Sequence, residues 1–384
     1  MKKSPFIYGV TVSSEAFTNR EKEFEQLKNN LTQGINTTII SPRRWGKSSL
    51  VEKVVLAINS ENKAIKTVVI DLFSVSSEEE FLELFAKEVI KSSSSKWQDW
   101  MSSGKIFFKQ LIPKITIGID PTQDFSLSFD WNELKKYKQE ILNLPEVIAK
   151  KKNVKFVICL DEFQNLASFA NYEDLEKKMR AVWQRQKLVS YCLYGSKRHM
   201  MTDIFNNSSK PFYRFGDIML LKKIEEEKWI SFIQESFKSS GKSISKEWAK
   251  KIPQLMNNHS WYVQQMAHYT WQKTEFKAEK QQLSSALKEL IYANTPLFQN
   301  EVGNISITQL NLLKAVCGGE HQLTSVKVMQ KYKLGTPRNV SKNKQMLINE
   351  DIIQEVESGY EFLDPSFKLW FEKTYFNIDY LNAL

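Results

Sequence analysis

Eight consecutive residues, Ser41-Pro42-Arg43-Arg44-Trp45-Gly46-Lys47-Ser48, carry the densest chemical signal in the chain. A tight turn running through Gly-Lys-Ser into a helix gathers backbone N–H groups and the positive end of the helix dipole around an anion. Gly46 lets the backbone approach a phosphate closely, the Lys47 ammonium reaches β and γ oxygens, and the Ser48 hydroxyl can ligate Mg²⁺. The run departs from the Walker A pattern at one place, where Ser41 stands for the first glycine. Pro42 compensates, because a residue before proline is biased to extended backbone, which needs no glycine. Pro42, Arg43, Arg44, Trp45 and Ser49 complete the candidate nucleotide-binding stretch.

A second constellation is Cys159-Leu160-Asp161-Glu162, which ends the most apolar strand candidate of the chain. In a parallel sheet that strand end faces bound phosphates. Asp161 is then a candidate to hold Mg²⁺ through water, and Glu162 to orient and polarise an attacking water. Gly195-Ser196 ends the next strand, where Ser196 can touch a γ-phosphate or the water, or simply form a turn. Arg214, just before a fifth strand, is the first candidate for stabilising transition-state charge, ahead of Arg43, Arg44 and Arg198. The candidate catalytic set is Lys47, Asp161, Glu162, Ser196 and Arg214, and the candidate metal set is Ser48 and Asp161.

These residues need a scaffold, and hydrophobic periodicity supplies one. Phe24, Leu27 and Leu31 have helical spacing after the capping candidate Thr18. Thr37–Ile40, Lys66–Leu72, Lys155–Leu160, Val189–Tyr194 and Asp217–Leu221 read as strands, with helices opening at Ser48 and at Ser77. This alternation predicts an α/β fold, a parallel sheet flanked by helices. Ile115–Ile119 and Phe125–Phe129 alternate around Asp120-Pro121 and predict an inserted β-hairpin. From Glu225 to about Phe298 the pattern is helical, and from Ser306 three short helices precede a hairpin about Ser358-Gly359. The expected domains are a nucleotide-binding core over 1–224, a helical lid over 225–300 and a winged helix-turn-helix over 301–384.

Composition is that of a globular protein: 384 residues, 42% hydrophobic and 26% charged. The net charge of +10 suits a polyanion or anionic lipid, or equally a lysine-rich solvated surface. Cys159, Cys192 and Cys317 are far apart and the four histidines dispersed, so neither a disulfide framework nor a zinc site is expected. Met1-Lys2-Lys3 is followed by Ser4-Pro5-Phe6, with no signal-peptide apolar region expected after the charge, and no apolar run approaches the roughly 20 residues of a membrane helix. The expectation is a soluble, cytoplasmic protein without membrane association.

With Asn19-Arg20-Glu21, Pro42-Arg43-Arg44-Trp45-Gly46-Lys47-Ser48 and Leu160-Asp161-Glu162 together, nearly the whole chain resembles the archaeal-type ATPase family, in the STAND branch of AAA+-related P-loop NTPases. The resemblance implies ATP and Mg²⁺ as ligands, and a terminal winged helix from about Val302. It places Asn19, Arg20 and Glu21 near base and ribose, with Phe6 and Tyr8 either against adenine or packing the N-terminal arm. The family's Gly-His-Pro-like lid turn reads here Asn258-His259-Ser260, followed by Gln264; only His259 and Gln264 match, so His259 is read as a capping or packing histidine. Thr336–Lys344, basic and polar, opens the expected recognition helix.

Three functions stay open: an ATPase whose cycle switches lid and winged helix toward a protein partner or a homo-oligomer; a DNA-binding ATPase of mobile elements or defence; and a nucleotide-binding regulator with little turnover. Because Pro42 already sets the backbone, Ser41→Gly should leave ATP affinity nearly intact. A large gain in a nucleotide titration would contradict that.

Overall fold

The computed structural model describes residues 3–9, 20–93, 115–118, 126–129, 131–356 and 359–384. They contain strands β1 (Thr37–Ile40), β2 (Ile65–Asp71), β3 (Ile115–Gly118), β4 (Ser126–Phe129), β5 (Lys155–Asp161), β6 (Val189–Gly195) and β7 (Asp217–Leu220). Later come β8 (Ser243–Ile244), β9 (Lys277–Ala278), β10 (Ile353–Val356) and β11 (Gly359–Phe362). Two compact bodies result: one is Arg20–Arg43 with Lys47–Lys222, the other holds residues 3–9, Arg44–Gly46 and Lys223–Leu384.

In the first body, β2-β5-β6-β1-β7 form a five-stranded sheet in which every pairing is parallel. Phe156–Leu160 and the whole of β6 are buried, as strands covered by helices on both faces must be. Exposure reappears at the edges, with Val69 on β2 and Leu220 on β7. Trp183 stacks on Tyr191 at 4.1 Å beneath Phe212 and Phe215, which closes the apolar layer on one face. The helix Glu78–Ser92 is opened by Ser77, whose hydroxyl accepts the Glu80 N–H at 3.2 Å. It is tied to the helix Trp131–Lys152 by a buried Lys138–Glu78 ion pair at 2.5 Å. That second helix is broken at Tyr137, a stretch the periodicity reading left unassigned.

The expected hairpin is present as antiparallel β3 and β4, with its turn outside the described residues. The helix Glu21–Thr32 follows Arg20, which makes no side-chain cap bond; the capping candidate Thr18 and the base-binding candidate Asn19 lie outside the described residues.

The second body is helical. Glu226–Ser239, Lys246–Leu255, Ser260–Lys273 and Lys280–Gly303 are followed by Ile307–Cys317, Val326–Tyr332, Pro337–Asn349, the β10–β11 hairpin and Pro365–Phe376. Ser306, Ser325 and Thr336 each cap the helix that follows. The helix Lys280–Gly303 runs without a break through the boundary expected at 300/301, and Phe298 packs on Phe367 and Trp370 in the same apolar cluster as Leu287. Among the described residues no helix is long and apolar enough to cross a membrane.

Burial, then the neighbouring carboxylates Asp364 and Glu350, push the Glu301 carboxyl up to about 7. An unfolded chain releases that proton near pH ~4.3. Between the two values the native state holds a proton that the unfolded state has lost, so stability falls as pH rises through that window. Glu301→Gln should flatten the slope and raise the melting midpoint above neutral pH while leaving it unchanged in acid. Melting curves across the window check this, and parallel slopes for both proteins would refute it.

Candidate functional site

The sheet order dictates the site. β1 delivers the loop that begins at Ser41, β5 delivers Asp161 and Glu162, and β6 lies between them and delivers Ser196. All three strands point the same way, so all three ends share one edge. Strands two apart are separated by roughly 10 Å. A long side chain is needed to cross that gap, and Lys47 provides it from the first turn of the helix Lys47–Glu61.

Ser41 is buried, and its hydroxyl donates to the Pro42 carbonyl at 3.1 Å. Gly46 has φ +90, a conformation that an L side chain resists although the space beside it is open. The Lys47 side chain is 8% exposed, and its ammonium lies 3.2 Å from Glu162 Oε1 and 3.9 Å from Asp161 Oδ1. The Ser48 hydroxyl donates to Asp161 Oδ2 at 2.8 Å. Ser196 donates to Glu162 Oε2 through both its hydroxyl, at 2.9 Å, and its N–H, at 3.2 Å. Lys47, Ser48, Asp161, Glu162 and Ser196 are thus brought together.

The two adjacent acids are driven apart electrostatically. Burial pushes the Asp161 carboxyl up, against the pull of Lys47 and Ser48. Burial also acts to raise Glu162, but Lys47, Gln164 and Ser196 outweigh it and hold that carboxyl below its ordinary value. Ser48 and Asp161 present a hydroxyl and a carboxylate oxygen, the hard donors Mg²⁺ takes when phosphates complete its shell. The residues present therefore fit Mg²⁺ and a polyphosphate.

Other candidates are placed differently. Arg20 is 3% exposed and its guanidinium is committed to Glu23 at 3.3 Å and the Lys222 carbonyl at 3.0 Å. Arg43 is exposed, Pro42 and Ser49 are buried. Arg214 lies in left-handed backbone in the turn entering β7, exposed, with its guanidinium 5.2 Å from the Tyr213 ring centre. That turn is at the opposite edge of the parallel sheet from Ser41, Asp161 and Ser196, about 13 Å away at roughly 3.3 Å per strand residue. Arg214, the first candidate for stabilising transition-state charge, is thus placed apart from the phosphate loop of its own chain. Arg198 opens the helix Arg198–Asn206 directly after the Ser196 strand end, on the edge that carries the phosphate loop.

Within the second body, Arg44 donates to the Tyr262 hydroxyl at 3.2 Å and lies over the Trp261 ring at 4.6 Å. Trp45 meets the edge of His259 at 6.1 Å. His259 is buried at the start of its helix and makes no side-chain cap bond, so of the two roles expected it packs. Gln264 accepts the Ile7 N–H at 3.3 Å. Phe6 packs between Phe232 and Phe237, and Tyr8 against Trp261 and His268. Both aromatics of the arm therefore have packing partners.

Sequence reasoning missed Gln164. It is 1% exposed and donates to Glu162 Oε2 at 2.5 Å. The available signal was Gly195: a Cβ there would overlap the Gln164 amide.

Residues 296–373 match a family described as a probable winged helix domain. Among curated proteins none matches the chain. Among solved structures the chain is similar to a Walker-type ATPase of Pyrococcus abyssi, with TM-score 0.67, 16% identity, and 96% of this chain and 99% of that one covered. It is also similar to the ORC2 protein of Aeropyrum pernix in its ADPNP–ADP complexes, with TM-score 0.56, 14% identity, and coverage of 91% and 92%. The ADP form of that protein aligns with TM-score 0.52 at 14% identity over 94% of this chain and 93% of that one. The fold is that of a P-loop NTPase, a parallel five-stranded sheet flanked by helices, with a C-terminal winged helix.

Proposed function

We propose that the chain binds ATP with Mg²⁺ through residues 41–49, hydrolyses it, and uses the cycle as a switch, in the manner of the archaeal-type STAND ATPases it resembles. The observation that carries this is the convergence of Lys47 and Ser48 with Asp161 and Glu162 at the carboxyl edge of the sheet. The similarity in fold to a Walker-type ATPase and to a protein solved with ADPNP and ADP supports it.

In this reading Lys47 leaves Glu162 for the β and γ oxygens, and the resemblance would put Arg20 toward base and ribose. Ser48 and, through water, Asp161 would hold Mg²⁺, which would supply neutralisation of the charge that develops on the phosphates. Glu162 orients a water and takes its proton as the water oxygen bonds to the γ-phosphorus. The bond from that phosphorus to the β–γ bridging oxygen breaks, and ADP leaves with the electron pair. Ser196 gives both its hydroxyl and its N–H to Glu162 Oε2 and so acts on that carboxylate. Arg43 and Arg198 are the arginines best placed within the first body to stabilise the added charge, and Arg214 could serve only a nucleotide held by another copy.

The switch is supported by the second body's own contacts. Lys223 lies over Trp45 at 5.9 Å and pairs with Glu361 of β11 at 2.9 Å, while Tyr262 joins Arg44 to Asp364, the cap of the helix Pro365–Phe376. A change at Arg44 or Trp45 would thus reach the winged helix within that body. Free, buried Cys159 and Cys192 agree with a cytoplasmic setting.

Lys47→Ala should remove measurable Mg–ATP affinity. Glu162→Gln should keep it while phosphate release falls by about 10²- to 10⁴-fold. Nucleotide titration and steady-state phosphate release check both. Equal, negligible release by the native protein and Glu162→Gln would instead favour the regulator with little turnover.

A second reading, DNA binding, is favoured by the helix Pro337–Asn349, which exposes Arg338, Asn339, Ser341 and Lys342. On that reading Arg338→Glu with Lys342→Glu should weaken duplex binding and reduce the salt slope by about 2. Unchanged binding at every salt concentration would leave a protein partner or a second copy as the switch's target.

A further inference from the structure

The two oxygens of Glu162 have different company. Oε1 faces the Lys47 ammonium at 3.2 Å. Oε2 receives three donors: the Gln164 amide at 2.5 Å, the Ser196 hydroxyl at 2.9 Å and the Ser196 N–H at 3.2 Å. Gln164 reaches back because the chain turns sharply after β5. Glu162 adopts φ 51, ψ 40, and a 3₁₀ turn over Phe163–Ser168 follows, stapled by the Asn165 N–H on the Glu162 carbonyl at 2.9 Å. The amide oxygen of Gln164 is buried without a hydrogen-bond partner and lies where a Cβ of residue 195 would be, so only glycine admits it. A buried amide that satisfies its donor side and forgoes its acceptor side is held there for the donor.

Building on the hydrolysis proposed above, we infer that Gln164 is the positioning residue of the reaction: with Ser196 it pins Oε2 of Glu162, leaving Oε1 as the oxygen that receives the water's proton. When phosphates draw Lys47 away, Oε1 loses its partner while Oε2 keeps all three. The carboxylate is then fixed in plane and direction, and the oxygen uncovered is the one on the Lys47 side. Without Gln164 only the two Ser196 donors hold Oε2, and the group is less tightly fixed against turning about its last torsion. Orienting groups behind a reacting one act through geometry, and their loss lowers turnover more than binding.

The test is Gln164→Leu, which keeps volume and removes the donor, with Gly195→Ala as an independent variant that displaces the amide. Both should lower kcat for ATP by about 10- to 100-fold. KM and Mg–ATP affinity should stay close to native in both variants, and the melting temperature in Gln164→Leu, whereas Gly195→Ala, whose Cβ also meets Met201 Sδ at 3.0 Å, should melt lower. In single turnover, adding Gln164→Leu to Glu162→Gln should cost nothing further, because the residue acts only through that carboxylate. Native kcat in both single variants, a loss confined to affinity, or a full multiplicative loss in the Glu162→Gln background would each overturn the inference. Native turnover abolished by Glu162→Gln but untouched by either variant sinks this inference alone; no turnover by the native protein sinks the hydrolysis reading with it.

Discussion

A buried ammonium needs a counter-charge, and Lys47 has Glu162 and Asp161. Desolvating a lysine and a carboxylate is expensive, and removing either partner would strand the other. On the function proposed above, a polyphosphate would be the alternative partner for the lysine and Mg²⁺ that for the acids, and the ion pair would be the form of the site without them.

Strand order makes that pair possible. Had β1 neighbored β5 directly, Lys47 would overshoot the acids and no residue would lie between them. Inserting β6 opens a gap that one lysine spans and places Ser196 beneath the crossing, where it can bond the same carboxylate. The same parallel order puts Arg214, which precedes β7, at the sheet's other edge from the phosphate loop, while Arg198 follows β6 and falls on the loop's edge.

Much of this was legible from residues because it follows from local rules. Five apolar segments, each short and β-branched or aromatic, could only be covered strands, and Gly46-Lys47-Ser48 needs a strand before it and a helix after it. Ser77 announced its helix through its cap. What escaped was set by tertiary packing. The helix Trp131–Lys152 carries Pro145 and a break at Tyr137, so its periodicity is interrupted where it packs best. Gln164 reads as an ordinary polar turn residue, and its role appears only when the end of β6 is brought beside it. Arg214 is a related case: proximity to a strand says nothing about which edge of the sheet the residue occupies until direction and order are known.

The loop itself divides its loyalties. Arg43 and Lys47 belong with the sheet, whereas Arg44, Trp45 and Gly46 between them belong with the helical body. Arg44 takes left-handed backbone at φ 64, a strained choice for arginine, and its guanidinium is held by a phenol hydroxyl and an indole face. Strain of this kind survives only where surrounding contacts over-determine it. Any rearrangement of the N–H groups of this loop around a phosphate must alter the φ and ψ of these same residues. The ligand's binding energy would therefore be shared, through a continuous backbone, with Tyr262, Trp261 and His259. On the switch reading proposed above, a differential affinity for two arrangements of this loop is the quantity required.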